Sequence, residues 1–196
     1  VILLLACAPD IRDLDHDGDI DVAFPDTGET DTDTDTDDGT TIDTAIVPSI
    51  TVTDEGSGVS KVVVDANEGV TYVDLGVPEQ TNVLGGWEIS FERYFLRLNG
   101  GVEGPGGVEV SPITDQAFAD VTTAPKSGWV TDTDDGMALE DWYIYDATEH
   151  VMYAAPVVYA VRNGAGEYWK VQFLSYYDDA GNTGFVSFYV AALPAL

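Results

Sequence analysis

Basic residues are scarce: 7 Lys and Arg stand against 36 Asp and Glu, a formal net charge of −29 over 196 residues. A chain so poor in cations does not neutralise phosphates, which excludes nucleic acid as a partner and electrostatic adhesion to anionic lipid. Cysteine is nearly absent. With Cys7 alone, no intrachain disulfide forms, and an exported chain must be stable through its core. Histidine stops at His16 and His150, methionine at Met137 and Met152. No apolar run approaches the ~20 residues that a helix needs to cross a bilayer. No long segment repeats its apolar residues with the 3.6-residue period of a helix either.

The acids that are present are unevenly spread. Residues 1–47 hold 14 of them against one base, Arg12. Val1 to Ala6 is an apolar run, and Leu4-Leu5-Ala6-Cys7 resembles the bacterial lipobox, in which the cysteine becomes the lipid-modified first residue. Several acyl chains on Cys7 would suffice for stable anchoring. The sequence thus predicts the end of a signal peptide over 1–7 and a disordered acidic tether over 8–47. Thr30 to Gly39 is low-complexity Thr-Asp sequence whose like charges repel with no apolar surface to bury. Within the tether, Asp13, Asp15, Asp17, Gly18, Asp19 and Asp21 match the start of an EF-hand-type calcium loop. The twelfth position is Phe24 rather than a bidentate Glu, so the loop is expected to bind calcium weakly, as a spacer. His16 falls between ligand positions and reads as a solvated loop residue.

From residue 48 onward the pattern is strand and turn, and most of the chain's 44% hydrophobic residues fall there, enough for one core of ordinary size. Val59 to Val64 is β-branched, and Val70 to Leu75 alternates with period 2. Trp87 to Arg93 alternates too, with Trp87, Ile89 and Phe91 facing in. The inward set changes parity near Tyr94-Phe95-Leu96, suggesting a bulge or a strand buried on both faces. Asn99-Gly100-Gly101 signals a tight turn. Gln116 to Asp120 has room for one helical turn. Val157–Arg162, Tyr168–Tyr177 and Phe185–Ala191 close the chain as a meander, joined by Gly/Asn/Asp-rich loops. The expectation is an all-β domain over 48–196, an antiparallel sandwich or open barrel.

The chemistry-bearing motifs of enzymes are missing. A zinc site wants three or four His or Cys ligands, and this domain has His150 alone. No Gly-x-Ser-x-Gly elbow would give His150 a nucleophile to serve. No phosphate-cradling glycine loop opens a helix. The reading is therefore a non-catalytic protein.

Four motifs in order point to a family. Trp87-Glu88-Ile89-Ser90-Phe91-Glu92-Arg93 with Asn99-Gly100-Gly101 resembles the W-D-(I/L)-x-F-x-R…N-G-G signature of HmuY-like lipoproteins. Trp142 to His150 is similar to their aromatic stretch leading into a histidine. Tyr159 to Val171 is similar to their y-x-V-R-x-x-x-G-x-Y-x-K hairpin, and Ser175-Tyr176-Tyr177 with Gly184-Phe185 continues the register. The resemblance covers roughly residues 58–193. It implies an all-β domain of HmuY-like type in an exported lipoprotein at the bacterial outer membrane or cell surface. It also implies capture of haem for a TonB-dependent outer-membrane receptor, with two axial side chains on the iron. Here His150 has no histidine partner, so the second ligand would be Met137 or Met152. A His/Met pair is sound for haem iron. Met152, two residues from His150, would share its side of a strand. Met137, in the Asp132 to Gly136 loop, is flexible enough to reach the opposite face. Arg93, Arg162 and Lys170 are the cations available for propionates, although Arg93 and Lys170 would pair with carboxylates in a sheet just as well. The alternative is a lipoprotein that keeps the fold and binds another surface partner, with His150 a strand-end residue. Trp87, Phe91, Trp142 and Phe173 are assigned to packing.

Overall fold

The computed structural model describes residues 49–195. Cys7, Asp13, Asp15, Asp17, Asp19 and Asp21 lie outside them. Among the described residues, twelve strands follow in the order β1 (Ile50–Gly56), β2 (Val59–Asp65), β3 (Thr71–Asp74), β4 (Glu79–Thr81), β5 (Ile89–Glu92), β6 (Phe95–Leu98), β7 (Glu109–Ile113), β8 (Tyr143–Asp146), β9 (Val151–Ala154), β10 (Val158–Arg162), β11 (Tyr168–Tyr177) and β12 (Thr183–Ala192). A six-stranded antiparallel sheet runs β1-β2-β12-β11-β10-β7, a four-stranded one β4-β3-β5-β6, and β8-β9 forms a ribbon. The single helical turn expected near 116–120 is a 3₁₀ turn at Phe118–Asp120.

The two sheets face each other across one core, so the domain is a sandwich. Period-2 alternation sends Val62 and Val64 of β2, Val171 and Phe173 of β11, and Val186, Phe188 and Val190 of β12 inward. From the smaller sheet come Val73, Ile89, Phe91, Leu96 and Leu98. Phe91 stacks on Phe188 across the gap, with centroids 5.6 Å apart and planes 5° from parallel. Trp87, Phe91, Trp142 and Phe173 are all buried packing residues, as expected. The back of the large sheet is covered by the 114–130 segment, where Val121 packs with Val158, Ala160 and Leu193. At the edge strand β7, Pro112 is placed where a missing N–H is tolerated.

One local reading is corrected. The parity change after Phe91 is neither a bulge nor a doubly buried strand. Glu92 pairs with Phe95, and Arg93-Tyr94 is a two-residue hairpin turn with Arg93 at φ +54°. Register shifts occur instead at Asp54–Gly56 of β1 and along β11, on both sides of Ser175. There the Ser175 hydroxyl accepts from Tyr177 N–H at 2.9 Å and donates to Tyr177 carbonyl oxygen at 3.0 Å. The added residue reverses the alternation and turns Tyr176 inward, toward Trp142 and Tyr94.

Candidate binding site on the aromatic ribbon

The β8–β9 ribbon and the β5–β6 turn bring exposed aromatics together. On β8, Tyr143 and Tyr145 share one face, and pairing puts Ala154 and Met152 beside them. Tyr143, Met152 and Ala154 lean on the core, and the Met152 N–H donates to the Tyr177 hydroxyl at 2.9 Å. Tyr94 lies edge-on to Tyr143, centroids 6.1 Å apart, and to Tyr176 at 6.4 Å. Tyr94 is 37%, Phe95 48% and Tyr145 52% exposed, which makes this a shelf of rings open to water, while Tyr153 alternates to the other face of the ribbon with Ile144. Such clusters mark ligand or partner sites more often than scattered single apolar residues do.

The shelf is held from behind by buried polar groups. The Trp142 indole N–H donates to the Tyr94 carbonyl at 3.0 Å, fixing the β5–β6 turn. Asp132, 1% exposed, accepts from Leu98 N–H and Ala138 N–H, both at 2.7 Å. Burial pushes its carboxyl above the ordinary range, although both backbone donors oppose that shift. Thr133 and Gly136 close a small turn between these anchors. The Met137 loop is therefore not the free arm expected from its composition. Asp132 pins it to β6, and Met137 sits half-buried against Tyr94, Phe95, Leu96, Glu140 and Tyr143, lining a cavity of about 80 Å³.

His150 is not on a strand. It ends the turn between β8 and β9 at φ +57°, a left-handed conformation uncommon outside Gly, Asn, Asp and His. The turn is seeded by Asp146, whose carboxylate accepts from Thr148 N–H at 2.7 Å and Glu149 N–H at 3.1 Å. Those two bonds hold its carboxyl below the ordinary range. The exposed His150 ring meets the Tyr145 hydroxyl through Nδ1 at 2.7 Å. The structure thus puts His150 with Tyr145 at the tip of the ribbon and Met137 with Tyr143 at its base, with Met152 on the face between. The sequence argument that set Met152 aside treated His150 as a strand residue, and the turn removes that premise.

The cations of the sequence motifs go elsewhere. Arg162 donates to Glu109 through Nε at 2.8 Å and Nη2 at 2.6 Å and lies 4.5 Å from the Trp129 ring centroid. Lys170 is buried, donates to the Phe118 and Val121 carbonyls at 2.6 and 2.8 Å, and sits over the Phe118 ring. Burial holds its ammonium below the ordinary lysine range. Arg93 is an exposed turn residue. Among the described residues, no cluster of three His, Cys, Asp or Glu side chains suits a metal ion. A larger open cavity of about 710 Å³ between β7 and the 114–128 loop contains none of the candidate ligands. The sequence reading missed Tyr94, Phe95, Tyr145 and Glu140. The parity break was the available signal for Tyr94 and Phe95, and the aromatic stretch from Trp142 to His150 was that for Tyr145.

The chain matches no family model and no curated protein sequence. Solved structures do resemble it. The apo HmuY analogue of Tannerella forsythia is 16% identical, with a TM-score of 0.57 over 74% of this chain and 97% of that one. A protein of Bacteroides vulgatus, provisionally described as HmuY-like and haem-binding, is 18% identical, with a TM-score of 0.56 over the same shares. This is the HmuY-like fold. A Bacteroides fragilis protein provisionally described as a lipoprotein shares it at 17% identity and a TM-score of 0.54, over 71% of this chain and 92% of its own. At these identities the likeness is one of HmuY-like architecture, and what this chain binds is argued from its own residues.

Proposed function

We propose that this HmuY-like domain is a non-catalytic surface protein that takes haem, or a related flat apolar ligand, on the aromatic ribbon with His150 on the iron. One observation carries the reading: Nδ1 of His150 lies 2.7 Å from the Tyr145 hydroxyl, and with Nδ1–H donating to that oxygen the lone pair of Nε2 is left for a metal. A histidine that binds metal through one nitrogen characteristically has the other fixed by a hydrogen bond. The donor set fits the group, because imidazole and thioether are both axial ligands of haem iron. Haem would supply an iron with two axial positions, and the rings of Tyr94, Phe95, Tyr143 and Tyr145 would supply apolar contact. Met137 and Met152 are the thioethers on this strip and the two candidates for the second ligand. Anchoring through a lipid on Cys7, an acidic tether over 8–47 that binds calcium at most weakly, and delivery to a TonB-dependent receptor complete the proposal.

The test is a haemin titration of the full chain. A Soret shift to a low-spin six-coordinate spectrum, lost in His150→Ala and converted to a five-coordinate one in either Met137→Ala or Met152→Ala, is the expected result. An unchanged spectrum and affinity in His150→Ala would remove the ligand assignment. One observation favours the rival reading, a domain that keeps the fold for another partner. Arg162 and Lys170 are committed to Glu109 and to backbone carbonyls, which leaves few cations for two propionates. The absence of any Soret shift would decide for that rival.

A further inference from the structure

We propose that the base of the ribbon also takes a second class of ligand, a quaternary ammonium group, in a cage walled by Tyr94, Phe95 and Tyr143 with Glu140 at its rim; the cage shares these rings with the proposed haem surface and is tested without haem. Those residues, with Leu96 and Met137, line the cavity of about 80 Å³ at the base of the ribbon. That volume suits a small head group and is far too small for a macrocycle. The Tyr94 and Phe95 centroids are 4.3 Å apart with planes inclined at 35°, and the Tyr94 and Tyr143 planes meet at 70°. The three rings therefore line the cavity in different orientations.

Ring faces are electronegative, and an alkylated ammonium has a greasy surface that loses little on leaving water. Aromatic cages exploit both properties. The fourth element is electrostatic. Glu140 is an exposed carboxylate lining the same cavity, and residues 48–196 carry 22 acids against six bases, which draws cations toward the domain. A competing charge is already neutralised. The Arg97 guanidinium lies 5.9 Å from the Phe95 centroid but is paired with Glu92 at 3.0 Å and Glu103 at 3.6 Å.

The cage is built before any ligand arrives. Trp142 holds the Tyr94 carbonyl, and Asp132 fixes β6 to the Met137 segment. A pre-organised cage spends little of its binding energy on ordering side chains. Free choline and the choline headgroup of a lipid offer the same trimethylammonium chemistry.

The experiment titrates the full chain, without haem, with choline and with its uncharged isostere 3,3-dimethylbutan-1-ol, following ring-proton shifts of the aromatics. Choline should bind at least tenfold more tightly than the alcohol. Phe95→Ala should weaken it about tenfold and Glu140→Gln about threefold, in line with cation–π and surface ion-pair strengths. Both side chains are exposed, so circular dichroism of the variants should match wild type. Equal binding of the two compounds would reduce the site to an apolar crevice and overturn the proposal, as would no binding of choline. A parallel arm pellets the protein with phosphatidylcholine vesicles. Phe95-dependent pelleting added to choline binding identifies a lipid headgroup, and choline binding alone identifies a free solute. Pelleting without choline binding overturns the cage.

Discussion

The sandwich and the ribbon put their polar side chains to opposite ends. In the sandwich, Arg162, Lys170 and Asn99 are consumed by the architecture. Asn99 is buried, donates to the Trp87 carbonyl at 3.0 Å and accepts from Gly106 N–H at 2.9 Å, folding the 99–107 loop around itself. On the ribbon, tyrosines and a histidine stand in water, and the hydrogen bond of His150 goes to an exposed neighbour rather than to the core. The motifs that make this chain resemble a haem-binding family thus lie mostly in the part that specifies the fold. The ligand question belongs to the part with least motif.

The sharpest way to break this contrast is at Gly101. Its φ is +60°, and a Cβ there would run into the Asp132 carbonyl. Left-handed strain of ~1–3 kcal/mol adds to overpacking of similar size. Gly101→Ala should therefore lose at least ~3 kcal/mol in urea unfolding and drag the ribbon's support with it. A loss under 1 kcal/mol would mean that the N-G-G motif is not architectural.

Asp132→Asn comes next. An amide accepts from one of Leu98 N–H and Ala138 N–H but turns its own N–H₂ toward the other, leaving a buried donor without an acceptor. That costs about 1–3 kcal/mol. The pH dependence has a definite sign. Burial raises the Asp132 pKa in the folded state, so the folded state holds its proton more tightly than the unfolded chain. The stability linked to that proton is fully present below the unfolded pKa and is lost as pH rises through the folded one. The gap between wild type and Asp132→Asn should therefore narrow as pH climbs from acid toward neutral. A gap that widens would contradict the raised value.

How much of this was readable in the residues follows the same divide. Alternation around Ile89 and Phe91, and the Gly/Asn/Asp loops at 163–167 and 178–182, write the sandwich and its closing meander directly. Burial forces period 2 on a strand, and tight loops demand particular residues. The site was legible only as a histidine and two methionines. The turn that carries His150, the Tyr145 phenol against it and the Asp132 clamp depend on contacts across the fold, and Leu98 is 34 residues from Asp132. The Ser175 bulges left no periodic trace, because a one-residue slip looks like ordinary irregularity until the neighbouring strand is in place.

His150 sharpens the comparison with a smaller effect. A left-handed residue with a Cβ is strained by roughly 1–2 kcal/mol, which glycine avoids. His150→Gly should thus be more stable than His150→Ala by about 1 kcal/mol in thermal unfolding, while both lose haem. Equal stability would show that the ribbon tip relaxes out of the left-handed conformation and that its geometry is not imposed.

The smallest expected change in stability is the most informative about function. Tyr145→Phe deletes one exposed hydroxyl, so thermal stability should stay within ~0.5 kcal/mol of wild type. If the hydroxyl orients the imaidazole ring of His150 toward iron, haem affinity should nonetheless fall about tenfold, the lower end of what removing a ligand's hydrogen-bond partner does to metal sites. The low-spin spectrum should survive, because His150 itself remains. A fall in stability above 1 kcal/mol would instead assign the phenol to the ribbon's structure. Unchanged affinity would mean that iron, where it binds, meets a histidine positioned by the strained turn alone.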